Sequence, residues 1–468
     1  MYFYNLLFVQ SSRMNLGVKE MSQIKNRGAL PMLKLTYPIA MEQIMRILVS
    51  SIDTFMLSSY SNTAVAAVGL VSQYVFFLNM VFSVIGTGCS IVLAQYIGAN
   101  KSKDELKHIA QASCVLMISA SIIMTLLVVF GTMPLLNCYE LEEEVRHYAW
   151  QYFVVYGGLF CFFNGFSLLQ GAILRCYGYT SEAMVVSIVA NIINVVGNAL
   201  SLYGWFGLPV LGVVGVAGAS GVASLVSCIM FAVYIHKRED VEYSVKGMFK
   251  VPGNVIKLIL KIGVPTAGES LSYNVSQIVV MAMISTFGTY AMSAQVYTMT
   301  IARFSFAVAM AIGQATQIKT GYFVGAHQPD VAYKKVFKYQ LIATATTVGM
   351  MLLINLCKQP IVKLFTDIPE VQQLVCTLLL FSIYIEFGRS LNLLYVGALK
   401  GTGDVRFPVL YAIFSNWCIQ VLLSYILGVK LGLGIVGCWL GIGTDETTRG
   451  IVMGLRWKSK RWQKHALV

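Results

Sequence analysis

Three ionisable residues in one apolar run, Glu42, Arg46 and Asp53, stand four and then seven positions apart. At about 100° per residue, this spacing puts all three on one face of a helix. Glu42 and Arg46 have the i,i+4 order that favours an ion pair. Asp53 lies about two turns further on, roughly 10 Å from Arg46 by helical rise, and no cation is near it in the sequence. An ionised group at mid-membrane costs at least about 2.5–3.5 kcal/mol on insertion scales, so it must have a partner or a function. The spacing predicts an ion pair for Glu42 with Arg46. It leaves Asp53 as the carboxylate free to bind a proton or a metal cation.

The same pattern recurs downstream. Glu386, Arg389 and Asn392 follow one another at one-turn intervals, and Glu269, Arg303, Asp445, Glu446 and Arg449 lie in further apolar runs. The six acids Glu42, Asp53, Glu269, Glu386, Asp445 and Glu446 face four arginines, so two carboxylates are left over. Glu386, Arg389 and Glu269 are expected to form a second, structural or gating network. Asn191, Asn194 and Asn198 share one helical face by their i, i+3, i+7 spacing. They either hydrogen-bond between helices or line a cavity beside Asp53.

These residues need a membrane-spanning scaffold. The chain has 468 residues, 57% hydrophobic and 12% charged, more apolar side chain than one soluble core can hide. Spans of about 20 apolar residues centre near Arg46, Leu78, Met117, Leu159, Ile193, Ser224, Asn274, Ser305, Gly349, Ile385, Ser415 and Leu440. With twelve spans and a cytoplasmic N-terminus, twenty-four Lys and Arg fall on the cytoplasmic side and four on the other. That bias places both ends in the cytoplasm, and it explains the net charge of +13 without a nucleic-acid partner. The Leu6–Val9 patch is too short for a signal peptide. Ten scattered cysteines read as small hydrophobes. No phosphate-binding loop or metalloprotease motif is present, so the chain reads as neither an enzyme nor an ATP-driven pump. Glycines at 212, 215, 218 and 221, and again at 432, 434, 437, 441 and 443, predict close helix packing.

The chain is written twice. Pro38 to Glu42 returns as Pro265 to Glu269, and the same offset of 227 relates Ala64 to Ala291, Gly86 to Gly313 and Gly98-Ala99 to Gly325-Ala326. At an offset of 225, Leu174-Arg175 and Gly178 return as Leu399-Lys400 and Gly403. The fold class is an all-α polytopic membrane protein, about twelve transmembrane helices in two six-helix lobes related by internal duplication. The expected divisions are an N-terminal arm (1–29), an N-lobe (30–236), a linker (237–261), a C-lobe (262–456) and a basic tail (457–468).

Pro38-x-x-x-Glu42, Asp53, Ala66-Ala67-Val68-Gly69, Ala94-Gln95-x-x-Gly98-Ala99 and Leu399-Lys400-Gly401-Thr402-Gly403-Asp404 together resemble the MATE (multidrug and toxic compound extrusion) family over about residues 30–457. The resemblance implies a central cavity, rocker-switch alternating access, and export of cationic amphiphilic drugs against inward H⁺ or Na⁺. It gives Asp53 and Asn194 the ion-coupling role. The chain departs from the family where Asn-x-x-x-Asp becomes Asn194-x-x-x-Asn198 and where Arg389 stands in span ten. The expectation is thus a monomeric bacterial inner-membrane antiporter without a cofactor. Its coupling ion is H⁺ in preference to Na⁺, coupled through Asp53, Asn194 and Asn198. A lipid-linked oligosaccharide flippase and a non-transporting scaffold are the alternatives.

Overall fold

The computed structural model describes residues 30–207, 209–243, 247–248 and 251–468. The expected N-terminal arm, with Arg13, Lys19, Lys25 and Arg27, lies outside the described residues, as do Lys246 and Lys250. Among the described residues twelve spans follow one another, and each expected centre falls within one of them. The N-lobe comprises α1 (Met32–Tyr60), α2 (Asn62–Gly98), α3 (Lys103–Leu136), α4 (Glu143–Leu159 continuing as Cys161–Cys176), α5 (Thr180–Tyr203) and α6 (Gly212–Lys237). The C-lobe comprises α7 (Gly253–Ser285), α8 (Thr289–Gly325), α9 (Pro329–Leu356), α10 (Pro369–Gly401), α11 (Arg406–Lys430) and α12 (Gly434–Lys458). Helices suit this setting because each satisfies its own backbone where no water can.

Nine of the spans, counting bent α4 as one, are long and apolar enough to cross a bilayer by composition alone. The other three, α1, α7 and α12, carry Glu42, Arg46 and Asp53, then Glu269, then Asp445, Glu446 and Arg449. Their 29, 33 and 25 residues are long enough to span. Two local features differ from a plain helix. Span α4 bends by 52° between Leu159 and Cys161, after a wide-turned stretch over Phe153–Leu159. Helix α7 begins at Gly253, so Lys257 and Lys261 belong to its first turns and not to the linker. Pro252 at its N-cap explains that start, since proline is tolerated where a helix begins.

The lobes meet where α1 and α7 begin and α2 and α8 end. There the repeat becomes a contact between equivalent residues. A side chain at Gly98 would run into the Tyr322 backbone, and one at Gly325 into that of Gln95, the repeat mates of each other. Gln95 Nε2 donates to the Gly401 carbonyl at 2.8 Å, and its mate Tyr322 donates to the carbonyl of Cys176, the mate of Gly401. Leu35 and Ile39 of α1 pack on Ala311 and Ala315 of α8. Gly88 of α2 leaves no room for a methyl group against Ile259 of α7. The turns that end α2 and α8 also match, with Asn100 and His327 at φ of +50° and +54°.

Candidate functional site: a carboxylate in the N-lobe cavity

Pro38 lacks an N–H, so the Lys34 carbonyl loses its helical partner. The Thr180 hydroxyl, at the first residue of α5, donates to that oxygen at 3.1 Å. This contact fixes α5 alongside α1 and brings its asparagines to the polar face of α1. Asn198 Nδ2 donates to Asp53 Oδ1 at 2.8 Å. The Asn194 amide satisfies both its ends when Nδ2 donates to Asp53, at 3.0 and 3.2 Å, and Oδ1 accepts from Ser220 Oγ at 2.9 Å. Asp53 is thus held by two neutral amide donors and by no ion pair among the described residues.

Glu42 and Arg46 pair as their spacing predicts, at 3.2 Å. Sequence reasoning missed the second partner: Arg175 Nη1 reaches both Glu42 oxygens, at 3.2 and 3.4 Å. A cavity of about 460 Å³ opens between α1, α2, α4, α5 and α6, with Glu42, Arg46, Asp53, Arg175, Asn191 and Asn194 in its wall. The two expected roles of the α5 asparagines, bonding between helices and lining a cavity, are therefore combined.

In the C-lobe, five buried side chains alternate in charge. Glu386 pairs with Arg389; Arg389 Nε lies 3.4 Å from Glu446; Arg449 lies 3.8 Å from Glu446 and 2.5 Å from Asp445. Asn392 Nδ2 donates to Glu446 at 2.8 Å, Ser305 Oγ to Glu386 at 2.8 Å, and Ser415 Oγ to Asp445. The Arg389 guanidinium also lies 5.0 Å from the Phe306 ring centroid. Nothing in this cluster is open as Asp53 is.

Two expectations need correction here. Glu269 does not join Glu386 and Arg389; it pairs with Lys400 at 2.6 Å. Arg303 joins neither network, being exposed and in no ion pair among the described residues. The six acids therefore leave one carboxylate without a cation, Asp53, and not two. The reason is that Arg175 and Lys400, not among the four arginines set against the acids, occupy the last turns of α4 and α10, from which their long side chains reach the acids. The repeat held the missing signal. Glu42 matches Glu269 at 227 and Arg175 matches Lys400 at 225, so the two ion pairs are one contact made twice.

The MatE family model matches residues 38–200 and again 265–426, two segments that start 227 residues apart. This chain belongs to the MATE family. An uncharacterized transporter of Bacillus subtilis, YisQ, is 35% identical over 92% of this chain and 94% of its own length. A probable multidrug resistance protein NorM of Thermotoga maritima is 26% identical over 93% of this chain and 94% of its own. Among solved structures, the outward-facing conformation of a multidrug resistance MATE family transporter of the MOP superfamily aligns with a TM-score of 0.85 at 20% identity, covering 93% of this chain and 96% of that one. A MATE crystal structure in a bent conformation aligns at 0.82 and 20%, covering 93% and 96%. The MATE fold thus explains both the twelve-span, two-lobe architecture and its internal repeat. As a MATE protein, the chain is a multi-pass membrane transporter, and its relatives include both an uncharacterized transporter and a probable multidrug resistance protein.

Proposed function

We propose that this MATE transporter is a proton-coupled antiporter that exports amphiphilic organic compounds across the bacterial inner membrane, with Asp53 carrying the proton. One observation carries the reading: of the six acids set within apolar runs, Asp53 alone lacks a cation among the described residues, and it faces a cavity. Ionised, Asp53 attracts a positively charged group in a bound compound. A proton arriving from outside cancels that attraction and redistributes the hydrogen bonds with Asn194 and Asn198. A ligand shifts a conformational equilibrium only through its different affinity for the two states, so proton and compound exclude one another and the lobes exchange orientation between them. The positive-inside bias supports an orientation in which the end where the lobes meet faces the cytoplasm.

The test is efflux of a fluorescent amphiphile in inverted vesicles, driven by a pH gradient or, separately, by a sodium gradient. The pH gradient should drive transport, and Asp53→Asn, which keeps the shape and loses the charge, should abolish it at normal expression. Transport driven by sodium alone, or full pH-driven transport by Asp53→Asn, would refute the proposal. A lipid flippase draws some support from the open guanidiniums of Arg46 and Arg303, since arginine suits phosphate. Gradient-independent movement of a labelled lipid-linked phosphate would favour that reading instead.

A further inference from the structure

The charge inside the N-lobe cavity is not what a site for simple cations needs. Four charged side chains line it: Glu42, Arg46, Asp53 and Arg175. Arg175 takes both oxygens of Glu42 and lies largely buried, whereas Arg46 touches one oxygen at 3.2 Å and leaves 59% of its side chain open. One carboxylate thus answers two guanidiniums. Arg46 makes no other hydrogen bond among the described residues, so Nε and Nη1 remain available. A guanidinium is a planar donor fork suited to an oxyanion, and one opened at mid-span is costly unless it faces water and meets a ligand. Asp53, about two turns along the same face and roughly 10 Å away by helical rise, offers the opposite charge. The cavity is therefore dipolar, positive at Arg46 and negative at Asp53. A compound with only a positive charge would gain one contact at Asp53 and leave the open side of Arg46 without an oxyanion.

We propose that this cavity takes an amphoteric amphiphile, whose carboxylate binds Arg46 while its cationic group binds Asp53, in preference to a simple organic cation. The inference rests on the reading of this cavity as the transport site. It adds a specificity-determining residue, Arg46, to the coupling residue. Protonation of Asp53 releases the cationic end while Arg46 still holds the carboxylate, so the compound leaves in two steps.

Equilibrium binding to the purified full chain in detergent tests this, with two xanthene dyes as probes: one bearing a free benzoate, the other its methyl ester, an otherwise identical cation. Fluorescence anisotropy should show the acid binding roughly ten-fold more tightly, the worth of one charge-assisted hydrogen bond. Arg46→Gln should remove the preference and Arg46→Lys restore part of it, with melting curves checking that both variants fold. An ester that binds wild type as tightly as the acid overturns the proposal, whatever the variants do. A preference that survives in folded Arg46→Gln overturns the role of Arg46. Binding needs no gradient, so either result leaves the vesicle test of proton coupling to stand or fall separately.

Discussion

Asp53 and Glu446 are both carboxylates within membrane spans, yet their surroundings give them opposite roles. Glu446 touches two guanidiniums and an amide, so it holds the C-lobe network together. Glu386 and Asp445 each end the chain with one arginine and one hydroxyl. Three acids against two arginines carry one negative charge too many for an apolar interior. Removing the charge of an end member should therefore be tolerated, whereas removing the centre, though it leaves each arginine one carboxylate on its own helix, cuts the contacts that tie α10 to α12. Glu386→Gln should leave the melting temperature in detergent close to wild type, and Glu446→Gln should lower it by several degrees. Equal losses would argue against the alternating arrangement. All of these acids are legible in the sequence as charges in apolar runs, and so is the Glu42–Arg46 pair, because its partners share a helix. The partners contributed by other helices are not. Arg175 and Lys400 sit where a span meets a loop, and a basic residue there reads as topology until the helix end is fixed in space.

Among the helices, the glycines of α6 show where small size matters. A methyl group at Gly215 would run into Ser201 of α5, and one at Gly221 into Phe160 at the α4 bend, whereas Gly218 has nothing within 4 Å. Gly215→Ala should therefore lower thermal stability in detergent and loosen α5, on which Asn194 and Asn198 ride. Gly218→Ala, on the same helix, should leave stability unchanged; a comparable loss there would mean that helix flexibility matters more than contact. The sequence predicts the twelve spans and the close packing of α6 because hydrophobic runs and small residues are local signals. The 52° bend in α4 follows the wide-turned stretch that holds Gly157-Gly158, a pair the sequence reading does not single out, and Phe160 at the bend lies against Gly221 of α6. The start of α7 is legible only in retrospect: Pro252-Gly253 can end a linker or begin a helix, and Ile259, packed on α2, decides for the helix.

In the cycle we propose, the lobes part along α1, α2, α7 and α8. A side-chain carbon at Gly321 would stand 2.8 Å from Ala94 Cβ, across the seam between α8 and α2. In a chain freed of its ten cysteines, Ala94→Cys with Gly321→Cys, which need the seam to ease by about 1 Å to reach disulfide separation, should form a disulfide under oxidation, stop efflux, and regain it on reduction. Undiminished efflux at complete cross-linking would show that this seam stays shut throughout the cycle.

The reciprocal contacts at that seam, Gly98 on Tyr322 and Gly325 on Gln95, have the form of an isologous interface, the kind a homodimer makes about its two-fold axis. In a homodimer every substitution appears on both sides of the axis, so an aspartate in one subunit brings the same aspartate in the other. Joining the two copies in one chain removed that constraint. Val280, which stands 227 residues after Asp53, is buried and apolar. Heredity could therefore place a lone carboxylate in one lobe and grease in its mirror position, an asymmetry that a symmetric pair of six-helix subunits has no way to encode.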